Sequence, residues 1–332
     1  MRTMPPPLLL SSPAGGSTRE AGEGGSRGRE AALVWGGAGD YMRPMKEPAI
    51  RGEMIEVGGR ATHAIRAGAG GSGPLTVLEA GAFGFSADWA AVQAKLAARG
   101  IPSLAYDRAG LGFSEPGPAP RDSAAIVGDL ERLLAAAGEA GPFVLCGHSM
   151  AGLHLRLFAA RNAARVTGVV LVDATTPEAM DSALLSSLVG HFGIATRAAA
   201  LAARAGVFGP LANTSWGDKI GLEGAATEEK RWAFASARHN HWAAQEVAAW
   251  RRSAEEAREA GPFDPALPVS VVLADAGRER GVMEAIQTVP ALASHAGRIE
   301  RVAGATHATI LSDHYAGAVV AEIERVRTAG SG

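Results

Sequence analysis

The sequence predicts an α/β protein: a mostly parallel eight-stranded sheet with helices on both faces and an inserted helical cap. Three observations predict it. Short apolar runs alternate with helical stretches along most of the 332 residues, the rhythm of a parallel sheet with crossover helices. A stretch of about 90 residues, Thr175 to Pro265, breaks that rhythm without any strand pattern. And one apolar run, Phe143 to Cys146, passes through a tight small-residue turn directly into a helix.

Glu53 to Val57 and Ala61 to Arg66 flank Gly58-Gly59, a pair that predicts a hairpin. Leu75 to Leu78 and Ser103 to Tyr106 are the next strands, separated by a helix from Trp89 to Arg99 that ends at Gly100. Phe143 to Cys146 and Val166 to Val172 follow, with helices at Ser123 to Ala137 and Ala151 to Arg161. Val269 to Ala274 and Arg298 to Val302 are the last strands, and Gly317 to Arg327 closes the chain as a helix. The expected organisation is therefore a leader at 1–45, a core built from 46–174 and 266–330, and a cap at 175–265.

From Ser11 to Asp40 the chain is rich in Gly, Ser, Ala and Glu without any period, too little apolar surface to offset the entropy of ordering, so this leader is expected to be disordered. Met42, Met45 and Met54 behind it offer later starts. The apolar part of the Met4 to Leu10 run is shorter than a signal-peptide core of about 7–15 residues, and no window reaches the roughly 18 consecutive apolar residues of a membrane span. No membrane span is expected. Lys plus Arg number 32 against 34 Asp plus Glu, a balance that argues against a nucleic-acid partner. The single cysteine, Cys146, excludes an internal disulfide framework and permits a reducing, cytoplasmic location.

Chemistry is concentrated at Gly147-His148-Ser149-Met150-Ala151-Gly152. A serine hydroxyl is a poor nucleophile until a base takes its proton, and a strand-turn-helix projects Oγ beyond the sheet edge where a base can reach it. Gly147 and Ala151, two residues before and after Ser149, let helix and strand approach closely. The bland alternative is a strand-to-helix turn with a capping serine. Its place at the carboxyl end of the fifth strand, where open α/β sheets bind ligands, favours the catalytic one.

Together with Leu78-Glu-Ala-Gly-Ala-Phe-Gly-Phe-Ser-Ala-Asp-Trp89, Tyr106-Asp-Arg-Ala-Gly-Leu-Gly-Phe-Ser114, Gly168-Val-Val-Leu-Val-Asp-Ala174 and Gly304-Ala-Thr-His307, this motif resembles the α/β-hydrolases, in particular esterase-like members with a helical cap. The resemblance spans about Glu53 to Arg327. It implies a Ser-acid-His triad with Ser149 as nucleophile and His307, after the last strand, as base, with no metal or organic cofactor. His314 and His295 stand in less suitable places. The acid is left open between Asp173, at the end of the sixth strand, and Asp275 or Glu279 near the seventh, because the usual G-x-x-D pattern would put Gly277 at the acid position. Oxyanion donors are expected from the amides of Met150 and Ala82, with Ala80 standing where the family usually has histidine.

Phe83, Phe85 and His148 are candidate pocket residues, although either phenylalanine would serve as well beneath the cap. Four of the six tryptophans (Trp216, Trp232, Trp242 and Trp250) fall in the cap. A single helix over Thr227 to Ala260 would put Trp232, His239, Trp242, Glu246 and Trp250 on one face. That face either docks the cap or, at Trp242, lines a pocket for a small apolar acyl substrate. His239 and His241 are not a metal pair at helical spacing, and Glu246 reads as solvated. The glycines of Asp107 to Ser114 lack the Lys-Ser/Thr of a phosphate loop and are taken as structural. The expected reaction is cleavage of a carboxylic ester or related acyl bond. Alternatives are a proline-iminopeptidase-like amide hydrolase, which would use Glu246 to hold the substrate amine, and a non-catalytic receptor for a small ligand. Dehalogenase and epoxide-hydrolase relatives attack with an aspartate, against which Ser149 speaks.

Overall fold

The computed structural model describes residues 45–276 and 281–330. The leader expected at 1–45 lies, apart from Met45, outside the described residues. Gly58 and Gly59 both have positive φ (60° and 83°), as a type I′ turn requires, and join β1 (Glu53–Glu56) to β2 (Ala61–Ala67). Behind them come β3 (Leu75–Glu79), α1 (Ala90–Ala97), β4 (Ser103–Tyr106), α2 (Ser123–Ala136), β5 (Phe143–His148), α3 (Ala151–Arg161) and β6 (Val166–Val172). After the cap, β7 (Val269–Asp275), α8 (Val282–Ala293), β8 (Arg298–Ala303) and α9 (Ala316–Ala329) complete the chain.

The eight strands lie in the order β1-β2-β4-β3-β5-β6-β7-β8, antiparallel around β2 and parallel from β4 to β8. All six residues of central β5 are buried, and they alternate between two apolar layers. Val144 and Cys146 face the layer that contains Val92, Leu96 and Val319, whereas Phe143 and Leu145 face the one that contains Val127, Leu130 and Phe158. Burial raises the Cys146 thiol pKa, so it behaves as packing. The helix α8 has no counterpart in the sequence reading, because Pro290 inside it removes a backbone donor and masks the apolar period.

The cap contains α4 (Ala183–Arg204), α5 (Ala225–Ala235), α6 (Ala237–Ala248) and α7 (Trp250–Glu259). The long helix expected over Thr227 to Ala260 is thus three helices. Ser236 adopts an extended conformation and its hydroxyl accepts from His239 N–H, so it starts a new helix instead of continuing the old one. Trp232 and Trp242 therefore do not share one helical face. Trp232 stacks on Phe113 at 4.9 Å, while buried Trp250 packs with Met150 and Leu153. The cap is tied to the core by polar contacts as well: Lys230 to Asp88, a charge pair of Arg51 with Glu229, and the Arg238 guanidinium to the Gly112 carbonyl.

Candidate active site

Three loops at the carboxyl ends of β3, β5 and β6 carry the site. Among the described residues, the three non-glycine residues with positive φ sit one on each loop: Phe83 (58°), Ser149 (58°) and Asp173 (42°). Each such conformation costs about 1–3 kcal/mol and persists only where surrounding contacts enforce it. For Ser149 those contacts are its own N–H to the Val172 carbonyl (3.1 Å) and its carbonyl accepting from Thr175 N–H (2.8 Å). The small neighbours are required sterically. A Cβ on Gly147 would lie 2.6 Å from Leu155, and one on Gly152 would lie 2.4 Å from the Thr175 carbonyl oxygen.

His307, on the loop after β8, bridges the other two loops. Its Nε2 is 3.0 Å from Ser149 Oγ and its Nδ1 is 2.6 Å from Asp173 Oδ2. An anionic Asp173 makes Nδ1 the protonated nitrogen and leaves the Nε2 lone pair for the serine proton. Asp173 is buried, its backbone N–H donates to Val272 O (2.7 Å), and Gln287 of α8 donates to its Oδ1 (3.3 Å). Asp275 instead ends β7 exposed to solvent, with its carbonyl accepting from Gly304 N–H. Glu279 lies outside the described residues. His314 packs against Tyr315, and His295 sits at the far side of the sheet, before β8.

The amides of Met150 and Ala82 have no protein acceptor among the described residues, which leaves both available to a ligand. Their loops touch: a Cβ on Gly81 would fall 2.8 Å from Ser149 Cβ, so only glycine lets the β3 loop come this close. Arg108 braces that loop. Its guanidinium donates to the carbonyls of Ala80 and Gly81, to Glu79 Oε1 (2.7 Å), and in a two-pronged contact to Glu246 of α6 (2.9 and 2.8 Å). Glu246 is thus buried and ion-paired rather than solvated. Burial alone would lower the Arg108 pKa, but the Glu246 and Glu79 carboxylates more than offset it and keep the guanidinium charged. Sequence reasoning missed this role, because the three charges come together only in the tertiary structure. The Asp107 to Ser114 turn is indeed held internally, with Asp107 accepting from Ser86, Phe113 and His63.

The pocket candidates separate. Phe83 is half-buried beside Phe192 of α4 and Met150. His148 Nε2–H donates to the His307 carbonyl (2.8 Å), steadying the base's loop. Phe85 is fully buried, its ring against His239 and under Lys230 Nζ, so it belongs to the packing beneath the cap and not to a pocket wall. Trp242 is also displaced from the expected role. Gly110, at φ 84°, leaves room for its indole, which seats the cap on that turn.

Three histidines are buried and neutral: burial takes His148 and His239 to about 3, with the charges of His307 and Lys230 acting the same way, and holds His154 well below 6.5. A depressed folded-state value means the unfolded chain binds protons that the native one refuses, so this stability is present above pH 6.5 and is lost below it. Each contributes up to about 1.4 kcal/mol per pH unit. The urea midpoint is expected to fall clearly between pH 7.5 and 5.5, more slowly for His154→Gln; an unchanged midpoint contradicts the neutral assignment.

The fold and the site define a hydrolase class. The profile of the alpha/beta hydrolase family matches residues 69–322, and the chain belongs to that family. Among solved structures it is similar to the enol-lactonase from Burkholderia xenovorans LB400 (TM-score 0.58, 21% identity, covering 83% of this chain and 100% of that one). It is also similar to a thermophilic esterase from Thermogutta terrifontis (0.58, 20%, 84% and 100%) and to a putative epoxide hydrolase from Pseudomonas aeruginosa (0.62, 19%, 83% and 97%). At these identities the likeness is one of fold. Curated relatives include an uncharacterised protein of Schizosaccharomyces pombe, 38% identical over 69 residues, and the uncharacterised protein YqjL of Bacillus subtilis, 36% identical over 105. The matches take in 21% and 31% of this chain, and 13% and 41% of those relatives' lengths.

Proposed function

We propose that the chain is a serine hydrolase that cleaves a carboxylic ester or related acyl bond through an acyl-enzyme. The observation that carries this reading is the continuous Ser149–His307–Asp173 hydrogen-bond chain at 3.0 and 2.6 Å. Ser149 Oγ attacks the acyl carbon as His307 Nε2 takes its proton, and Asp173 stabilises the resulting imidazolium. The Met150 and Ala82 amides hold the oxyanion. His307 then returns the proton to the departing alkoxide, and repeats both steps with water as the nucleophile to release the acid.

Glu246 does not favour the amide-hydrolase alternative, because both of its oxygens already accept from Arg108 and a substrate amine would have to displace a buried ion pair. The neutral His148 beside the site adds no competing charge. With its one cysteine buried, the protein is assigned to the cytoplasm.

A fluorophosphonate probe is expected to label the wild-type chain and to leave Ser149→Ala unlabelled, with ester turnover reduced about 10⁶-fold in that variant. A well-folded wild type that takes no label and turns over no ester sinks the reading.

A further inference from the structure

The outer face of the cap is apolar and unpartnered. Helix α4 is 22 residues long with a mean hydropathy of 1.3 over its most apolar 18-residue window, and only 11% of that window is buried. Leu184, Ile194 and Leu201 are 69%, 68% and 67% exposed, and Leu188 lies among them on the same side. Buried Thr196, Ala200 and Ala203 mark the opposite side, which packs toward α6. The exposed surface continues through Val207 and Leu211 to Trp216, itself 59% exposed with Lys219 Nζ 4.6 Å from its ring centre. This exceeds the scattered apolar residues of an ordinary surface.

Charge says what covers it. From Ser182 to Gly217 the chain has no Asp or Glu, although acids make up 34 of its 332 residues. Arg197 and Arg204, seven residues apart and therefore on one margin of α4, line a groove against α6. Arg251, whose guanidinium reaches the Ser186 carbonyl, adds a cation near the helix start. Among the described residues, none of Arg197, Arg204, Arg251 and Lys219 is paired with a carboxylate. An apolar face edged with unpaired cations and an interfacial tryptophan matches an anionic lipid surface. A second copy of the chain would present the same acid-free patch, leaving those cations without counter-charge.

We propose that the cap docks on anionic membrane surfaces through the outer face of α4 and the segment to Trp216, with α4 lying flat rather than spanning. At the inner margin of α4, Phe192 contacts Phe83 and Trp250, each at 6.3 Å between rings, so the docked face adjoins the loop of the Ala82 amide. Lipophilic esters held in the bilayer are then the substrate class. That second part rests on the serine-hydrolase reading; the docking does not.

The test uses the full chain with vesicles of phosphatidylcholine alone or mixed with phosphatidylserine. The wild type is expected to sediment with the mixed vesicles, with partitioning about fivefold weaker for each charge removed in Arg197→Gln and Arg204→Gln. Leu184→Glu/Ile194→Glu/Leu201→Glu is expected to stay in solution and to lose turnover of a long-chain ester carried in those vesicles. It should hydrolyse a soluble short-chain ester as the wild type does. Wild type remaining in the supernatant overturns the docking, as does a triple variant that sediments normally. A concentration-dependent dimer abolished by the triple substitution also overturns it, in favour of a second copy. Loss of soluble-ester turnover in the wild type would count against the hydrolase reading alone.

Discussion

Asp173→Asn is expected to lose about 10⁴-fold in kcat on a short-chain aryl ester, with the nucleophile, base and oxyanion amides all still in place. Asp173 accepts the Nδ1 proton of His307 at 2.6 Å, and an amide there would offer N–H or a weaker acceptor. The ring would then favour the tautomer with the proton on Nε2, which cannot receive one from Ser149. Because Gln287 donates to Oδ1, the amide can present its oxygen to Gln287 and its NH₂ to His307, which fixes the wrong tautomer. Asp275→Asn, at an exposed strand end, is expected to stay within about twofold of wild type. Steady-state kinetics on the two variants check this, and the reverse ranking would transfer the acid to Asp275.

The second large effect is expected at Arg108→Met. This substitution removes the one guanidinium that lies between two buried carboxylates, Glu79 and Glu246, and frees the carbonyls of Ala80 and Gly81. Breaking such a buried pair by deleting one partner typically costs about 3–5 kcal/mol. The loss should shrink on acidification. Burial already raises the Glu79 pKa in the intact protein, and without Arg108 both carboxylates bind protons more readily folded than unfolded. A raised folded-state value favours the native state at low pH and disfavours it at high pH, so the difference from wild type is larger at pH 8 than at pH 5.5. In the fraction that remains folded, kcat is expected to drop about 10²-fold, the scale of one misplaced oxyanion donor. Arg108→Lys keeps the charge but reaches fewer of the five acceptors, so it should recover more stability than kcat. Urea titrations at the two pH values, with kinetics on the same preparations, check each part.

Much of the fold was legible because strands buried on both faces read as continuous apolar runs. Val166–Val172 and Ser103–Tyr106 have the bounds expected, and the Gly58-Gly59 turn has the φ values that only glycine adopts readily. The cap was less legible. Helical spacing from Trp232 to Trp250 is satisfied on paper, yet Ser236 offers its hydroxyl to His239 N–H and divides the helix, a local choice that periodicity does not register. Phe85 and Trp242 were misplaced for a related reason: an aromatic side chain near a site is equally suited to lining a pocket and to filling the space above a glycine turn.

The sequence by itself determined the α/β order of strands and helices, the small-residue turn at Ser149, the position of His307 after the last strand, and the tryptophan-rich cap. Each is written in a period, a glycine or a chain order, which are local properties. Only the tertiary structure decided between Asp173 and the β7 carboxylates, and only it brought Arg108 onto Glu79, Glu246 and the oxyanion loop. Those partners are 134, 29 and 138 residues apart in the chain. A hydrogen bond or buried ion pair is fixed by distance and desolvation at the contact, and residues so far apart acquire a defined distance only once the sheet and the cap have packed.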